Sequence, residues 1–205
     1  MKTSAPNIAI VILAAGASSR MGRPKQLLKW GNDNLLNHTI NTALKTNASE
    51  VIVVLGANHD LIKNQIVHQS ITILNNKDWK LGLGKSIACA TEYVLKVKPE
   101  TQGILIVLAD QPLINSDFLN EIIEGFSTGQ NQIIATAYNH DRKGVPALFD
   151  KFYFYELTTL SDDFGAKQLL KLHESSTIIL NPPVENQDID TLDDYNDLCS
   201  NKRFS

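Results

Sequence analysis

The sequence predicts an α/β fold with a mostly parallel central sheet flanked by helices. Apolar runs rich in Val and Ile recur at residues 8–15, 51–56, 71–74, 103–110 and 132–138. They are continuous rather than alternating, as in strands covered on both faces. Segments with helical spacing separate them. Strand and helix in alternation imply a parallel sheet built through crossovers.

Each element follows in order. IAIVILAA (8–15) reads as a buried strand and is too short to span a membrane. Leu35, Leu36, Ile40 and Leu44 mark a helix, and VIVVLG (51–56) and ITIL (71–74) are the next strands. Ser86 to Val97 is a second helix, and GILIVLAD (103–110) a further buried strand. Phe118, Ile122, Ile123 and Phe126 mark a third helix, with Ser116 as its expected N-cap. QIIATAY (132–138) is the fifth strand, and helical segments at 166–173 and 192–200 follow. No repeat or composition shift divides the chain. Residues 1–205 are expected to form a single domain, with 1–6 as a flexible tail. Ligands of such sheets sit at the carboxyl ends of the strands.

Composition narrows the classes. The chain has 205 residues, 43% hydrophobic and 20% charged, which suits a folded domain with a real core and not a disordered one. A formal net charge of -3 offers no bulk attraction for nucleic acid. Two cysteines, Cys89 and Cys199, are too few for a disulfide framework and point to a reducing, cytoplasmic setting, away from membranes. The five histidines show no metal-ligand spacing.

The strongest chemical signal is LAAGASSRMGRPKQLL, residues 13–28. It follows the first strand and carries Gly16, Gly22, Arg20, Arg23 and Lys25. Exposed backbone N–H groups with several cations at the end of a buried strand suit a polyphosphate. Gly16 allows close backbone approach. Arg20 would grip phosphate as a fork and Lys25 as a point charge. A solvated surface loop is the plainer alternative. The dinucleotide G-x-G-x-x-G pattern fails at Ser18, and the G-x-S-x-G nucleophile elbow fails at Arg20. GLGKS (82–86) has the tail of a P-loop, but Trp79 stands where the first glycine is needed, which disfavours a P-loop NTPase.

Two acidic sites could hold a hard cation. Asp110 ends the 103–110 run, where a carboxylate is placed to bind Mg²⁺, or simply to cap a turn. In DIDTLDDY (188–195), Asp188 and Asp190 lie two apart and share a side of an extended segment. Asp190 is the favoured second metal ligand. Helix capping by Asp190 or Thr191 competes with that reading.

These segments together resemble a known family. LAAG-x-S-S-R-M-G-x-P-K-Q-L-L, L-A-D-Q-P and D-I-D-T resemble the motifs of the molybdenum cofactor cytidylyltransferases. Those are MobA-like NTP transferases of the nucleotide-diphospho-sugar transferase superfamily. The resemblance implies a Rossmann-like, GT-A type sheet and a triphosphate wrapped by Leu13, Ala14, Ala15, Gly16, Arg20 and Lys25. It makes Asp110 the principal Mg²⁺ ligand. Ala15, where the guanylyl branch has glycine, leans toward CTP. The resemblance also places Asn58, Asn76 and Ser86 near the nucleotide, although Asn58 equally suits a turn. Val145 replaces a histidine of the family pattern G-H-P-V-L-F, and Lys167 replaces an arginine; both bear on the acceptor.

The activity implied is transfer of CMP from CTP to molybdopterin, with a molybdoenzyme as eventual client. Alternatives are a sugar phosphate or other phosphate acceptor, and a non-catalytic nucleotide-binding accessory protein.

Overall fold

The computed structural model describes residues 6–138, 142–183 and 187–201; the expected tail at 1–6 lies almost wholly outside them. The strands are β1 (Ile8–Ala14), β2 (Lys29–Trp30), β3 (Asp33–Asn34), β4 (Glu50–Leu55), β5 (Thr72–Asn75), β6 (Gly103–Leu108), β7 (Ile133–Tyr138), β8 (Arg142–Asp150) and β9 (Thr177–Leu180). The helices are α1 (Leu35–Leu44), α2 (His59–Lys63), α3 (Leu83–Val97), α4 (Ser116–Glu124), α5 (Phe154–Thr158), α6 (Lys167–Leu172) and α7 (Leu192–Asn201).

Seven strands form one sheet in the order β5-β4-β1-β6-β8-β7-β9, while β2 and β3 make a separate ribbon. β1 lies between β4 and β6, parallel to both, with Val11 opposite Ile52 on one side and Ile106 on the other. Its burial on two faces explains its unbroken apolar sequence. Ile8, Ile10, Ile12 and Ala14 face a core shared with Leu36 and Ile40 of α1 and Phe118 and Ile122 of α4. Ala9, Val11 and Leu13 face the opposite core, with Ile87 and Val94 of α3, Phe154 of α5 and Leu169 of α6.

The predicted strands and helices are present, with three differences. Asn115, not Ser116, caps α4: its side chain accepts from Phe118 N at 2.9 Å, and Ser116 is the first helical residue. α3 begins at Leu83, three residues before the expected start. The strands β2, β3, β8 and β9 and the short helices α2 and α5 were not anticipated. β8 is antiparallel to both β6 and β7, and Val145–Pro146 form a bulge where its register with β7 shifts. Gly144 and Pro146 argue against a strand when read alone; the bulge accommodates them.

The chain leaves β1 for neighbours on both sides, a switch point whose crevice opens at the carboxyl ends of β1 and β6. Among the described residues, no helix is long and apolar enough to cross a membrane.

Candidate active site

A cavity of about 760 Å³ opens at that crevice, lined on one side by Leu13–Gly16 and on the other by Leu108–Gln111. The loop after β1 is held in shape by its own polar residues. Gln26 is 2% exposed and donates through Nε2 to Ala14 O at 2.9 Å and Gly16 O at 3.0 Å. Lys25 N donates to Ser18 Oγ at 3.1 Å, and both Ser18 and Gly22 take left-handed conformations. Met21 and Leu28 anchor the loop in a small apolar cluster with Trp30, Leu35, Ile189 and Leu198. A Cβ on Gly16 would meet no atom within 4 Å, so its face toward the cavity is open. Gly56 at the end of β4 serves packing: a Cβ there would lie 2.5 Å from Trp79 Cβ and 2.9 Å from Ala15 Cβ.

Lys25 is the centre of the charged groups. Its Nζ pairs with Asp110 Oδ2 and donates to Asp190 Oδ1 at 3.1 Å and Ile189 O at 3.0 Å. Arg20 lies at the rim, 3.7 Å from Asp190 Oδ2. Burial opposes the Lys25 ammonium, but the charges and hydrogen bonds of Asp110 and Asp190 outweigh it and raise its pKa. Burial also pushes the Asp110 carboxyl up, against the pull of Lys25. The other oxygen of Asp110, Oδ1, is buried and has no hydrogen-bond partner among the described residues.

The C-terminal segment completes this corner. Ile189 is fully buried, and its N–H donates to Asp110 O at 3.0 Å. That anchor sets Asp188 and Asp190 at the cavity on either side of it. Asp190 turns to Lys25, while Asp188 Oδ1 accepts from Gln111 Nε2 at 2.8 Å. Thr191 and Asp194 then start α7 with reciprocal bonds. Asp194 Oδ2 accepts from Thr191 N at 2.8 Å, and Thr191 Oγ1 accepts from Asp194 N at 3.1 Å. Capping and placement of Asp190 therefore share one segment.

Asp110 with its unpartnered oxygen, Asp190 and the Ile189 carbonyl form an all-oxygen donor set suited to a hard cation. Among the described residues no three carboxylates, imidazoles or thiolates close into a protein-only cage. Magnesium is commonly held by one or two carboxylates together with substrate phosphates, so these residues fit it.

Of the residues singled out from sequence, Leu13, Ala14, Ala15, Gly16, Arg20, Lys25, Ser86, Asp110 and Asp190 line the cavity. Asn58 and Asn76 do not. Asn58 takes a left-handed conformation and precedes α2, which is the turn role. Asn76 is buried, donating to Ser86 Oγ at 3.1 Å and accepting from Asp78 N at 3.0 Å. It supports Ser86 from behind. The P-loop look of GLGKS has a different cause. Gly84 N donates to Asp162 O at 2.7 Å, and a Cβ on Gly82 would lie 2.5 Å from the Asp162 carbonyl carbon. The start of α3 is thus capped by the chain's own backbone, and its glycines permit that contact.

Gln26, Gln111 and Tyr138 were not singled out from the sequence. The two glutamines each directly follow a charged site residue, Lys25 and Asp110, and that adjacency was the available signal.

The model of the MobA-like NTP transferase domain matches residues 10–177. The chain belongs to the MobA-like NTP transferase family. Members of this family are nucleotidyltransferases, and the matched span holds most of the sheet, the loop after β1 and Asp110, while the 188–190 segment lies beyond it. The chain is 30% identical over 177 residues to nicotine blue oxidoreductase of Paenarthrobacter nicotinovorans, covering 82% of this chain and 84% of that protein. It is 30% identical over 149 residues to the bifunctional protein GlmU of Francisella philomiragia, covering 71% of this chain and 31% of GlmU. The MobA-like chain thus spans under a third of GlmU. Rv0371c of Mycobacterium tuberculosis superposes with a TM-score of 0.82 at 28% identity, covering 96% of this chain and 100% of that one. A structure of Rv0371c in complex with manganese is similar to this chain as well, with a TM-score of 0.74.

Proposed function

We propose that this MobA-like protein transfers CMP from CTP to molybdopterin and releases pyrophosphate. The observation that carries the reading is Lys25, on the loop after β1, bridging Asp110 and Asp190 at the mouth of the crevice. That corner supplies both things a nucleotidyl transfer needs: a cation for phosphate oxygens and carboxylates for a metal ion.

The loop N–H groups and Lys25 bind the triphosphate, with Arg20 closing from the rim. A phosphate oxygen of the acceptor attacks the α-phosphorus in line; that P–O bond forms as the bond to the β-phosphate oxygen breaks. Mg²⁺ bound by Asp110 and Asp190 would neutralise charge on the triphosphate. An ionised phosphate is its own nucleophile, so the protein contributes positioning and charge stabilisation. Trp79 and Phe164 line the cavity and offer apolar faces to a planar base or pterin, Phe164 being 63% exposed. The protein works in the cytoplasm as a single domain over residues 1–205 and delivers its product to a molybdoenzyme.

A second reading rests on the similarity to nicotine blue oxidoreductase and on Val145, which replaces a polar residue of the family pattern on the acceptor side. In it the cavity holds a nucleotide cofactor for reduction of a planar substrate. The experiment is pyrophosphate release with CTP, GTP, ATP and UTP, Mg²⁺, and molybdopterin present or absent. Acceptor-dependent release with CTP is expected. Nucleotide binding without release, for molybdopterin and a sugar-phosphate panel alike, would remove the transferase reading. Oxidation of a reduced nicotinamide dinucleotide by a dye would then favour the second.

A further inference from the structure

Gln111 joins three parts of the site that are distant in sequence. It follows Asp110 directly and is 2% exposed. Its Nε2 donates to Asp188 Oδ1 at 2.8 Å and to Tyr138 Oη, and lies 3.4 Å from Val145 O. Tyr138 Oη itself donates to Val145 O. Burial, then the nearby Asp188 charge, pushes the Tyr138 phenol well above its ordinary pKa, so the hydroxyl keeps its proton. The tyrosine ring lies over Gly144, where a Cβ would sit 2.9 Å from Cε2. Tyr138 and Gln111 thereby cover the Val145 carbonyl, while Thr136 Oγ1 donates to Pro146 O at 2.7 Å. Both carbonyls of the β8 bulge are satisfied by side chains.

One buried amide therefore ties the end of β6, the β7–β8 bulge and the 188–190 segment together. Asp188 and Asp190 flank the buried Ile189, so the bond that holds the Asp188 carboxylate steadies the short backbone segment that also presents Asp190. We propose that Gln111 is a positioning residue: it holds Asp188 so that Asp190 faces Lys25 and Asp110, and it locks the acceptor side of the cavity to the metal side. This deepens the transfer reading and rests on it for the metal's place at Asp110 and Asp190. The bulge side carries Val145, so an acceptor pressing on that wall is coupled to Asp190 through a single hydrogen-bonded side chain.

The test is the dissociation constant of Mn²⁺ in the presence of a non-hydrolysable CTP analogue, read by electron paramagnetic resonance. It compares wild type with Q111L, Q111E, D188N and Q111E/D188N, with thermal unfolding of each. Q111L should raise the constant about tenfold, as loss of a group orienting a metal ligand does. Q111E sets two carboxylates together and should raise it further. Its combination with D188N restores one hydrogen bond with donor and acceptor exchanged, and should recover most of the loss. Wild-type affinity in Q111L, or a double variant no better than Q111E, would overturn the assignment. Y138F keeps the Gln111–Asp188 bond and weakens the tie to the bulge, leaving only the 3.4 Å contact of Gln111 with Val145 O. It should leave Mn²⁺ binding within about twofold and raise the acceptor KM; a tenfold loss of Mn²⁺ affinity in Y138F would also overturn the assignment, and it decides the matter if Q111L does not fold. Absence of CTP turnover with intact Mn²⁺ differences would instead count against the transfer reading alone.

Discussion

Lys25 Nζ lies 3.1 Å from Asp190 Oδ1 although 165 residues separate the two in sequence. The contact closes the loop after β1 against the segment before α7. Replacing Lys25 by methionine should lower kcat about 10²- to 10³-fold, the loss typical of removing one preorganised charge-stabilising donor. Steady-state pyrophosphate release checks this; near wild-type turnover in K25M would remove the lysine from the chemistry.

The same pair has a pH signature. The folded pKa of Lys25 is raised above its ordinary 10.5, so its stabilising contribution is complete below that value. It is lost as pH rises through the higher folded pKa. Urea unfolding between about pH 9 and 12 should show the gap between wild type and K25M narrowing only at the alkaline end. A gap constant over that range would argue against the pairing.

Asp110 and Asp190 should differ in consequence. Asp110 is buried with an orphaned oxygen, while Asp190 is half-exposed. D110N should cut turnover by about 10³ or more, and D190N by about tenfold to a hundredfold. Raising the Mg²⁺ concentration should partly restore D190N and not D110N. The reverse order would reassign the principal ligand.

Gly82 has φ +103°, and its α-hydrogen faces the Asp162 backbone. G82A should destabilise the fold by about 1–3 kcal/mol through strain and overlap. It should also displace the 161–163 segment that borders the cavity, so KM for the acceptor should rise. Chemical unfolding and acceptor titration measure the two effects separately.

At the start of α7, T191A should cost about 1 kcal/mol through loss of the cap. The Thr191 side-chain and backbone bonds hold the Asp194 carboxyl below its ordinary 3.8. That contribution is present above the ordinary value and disappears as pH falls through the depressed one. Acid unfolding of D194N should therefore be less steep below about pH 4 than that of wild type. Because the cap steadies the segment carrying Asp190, T191A should weaken Mn²⁺ binding as well.

Much of this was legible in sequence, and the exceptions share a cause. β1, β4, β6 and α3 were readable because burial on one or both faces writes itself as unbroken or periodic apolar residues. β8 was not, since Gly144 and Pro146 sit at a bulge whose carbonyls are satisfied by Tyr138, Gln111 and Thr136, partners that only the tertiary fold supplies. Lys25 and Asp110 announced themselves by motif. Asn76 pointed to the right place with the wrong role: it supports Ser86 and does not meet the cavity. Gln26 and Gln111 are buried amides whose value lies in partners that the fold supplies, backbone carbonyls of its own loop for Gln26 and a carboxylate 77 residues on for Gln111, and no local spacing encodes that.

The anchoring of Ile189 beside Asp110 bears on how the protein is made. The sheet core, the loop and Lys25 all leave the ribosome well before Asp188 and Asp190. At roughly 5–20 residues per second, Lys25 waits about 10–30 s for Asp190 to be synthesised. A nascent chain can thus bury most of its apolar residues while its lysine still lacks the second carboxylate. Competence for chemistry arrives as a late, separate event in biosynthesis, set by the arrival of a few C-terminal residues and not by the assembly of the sheet.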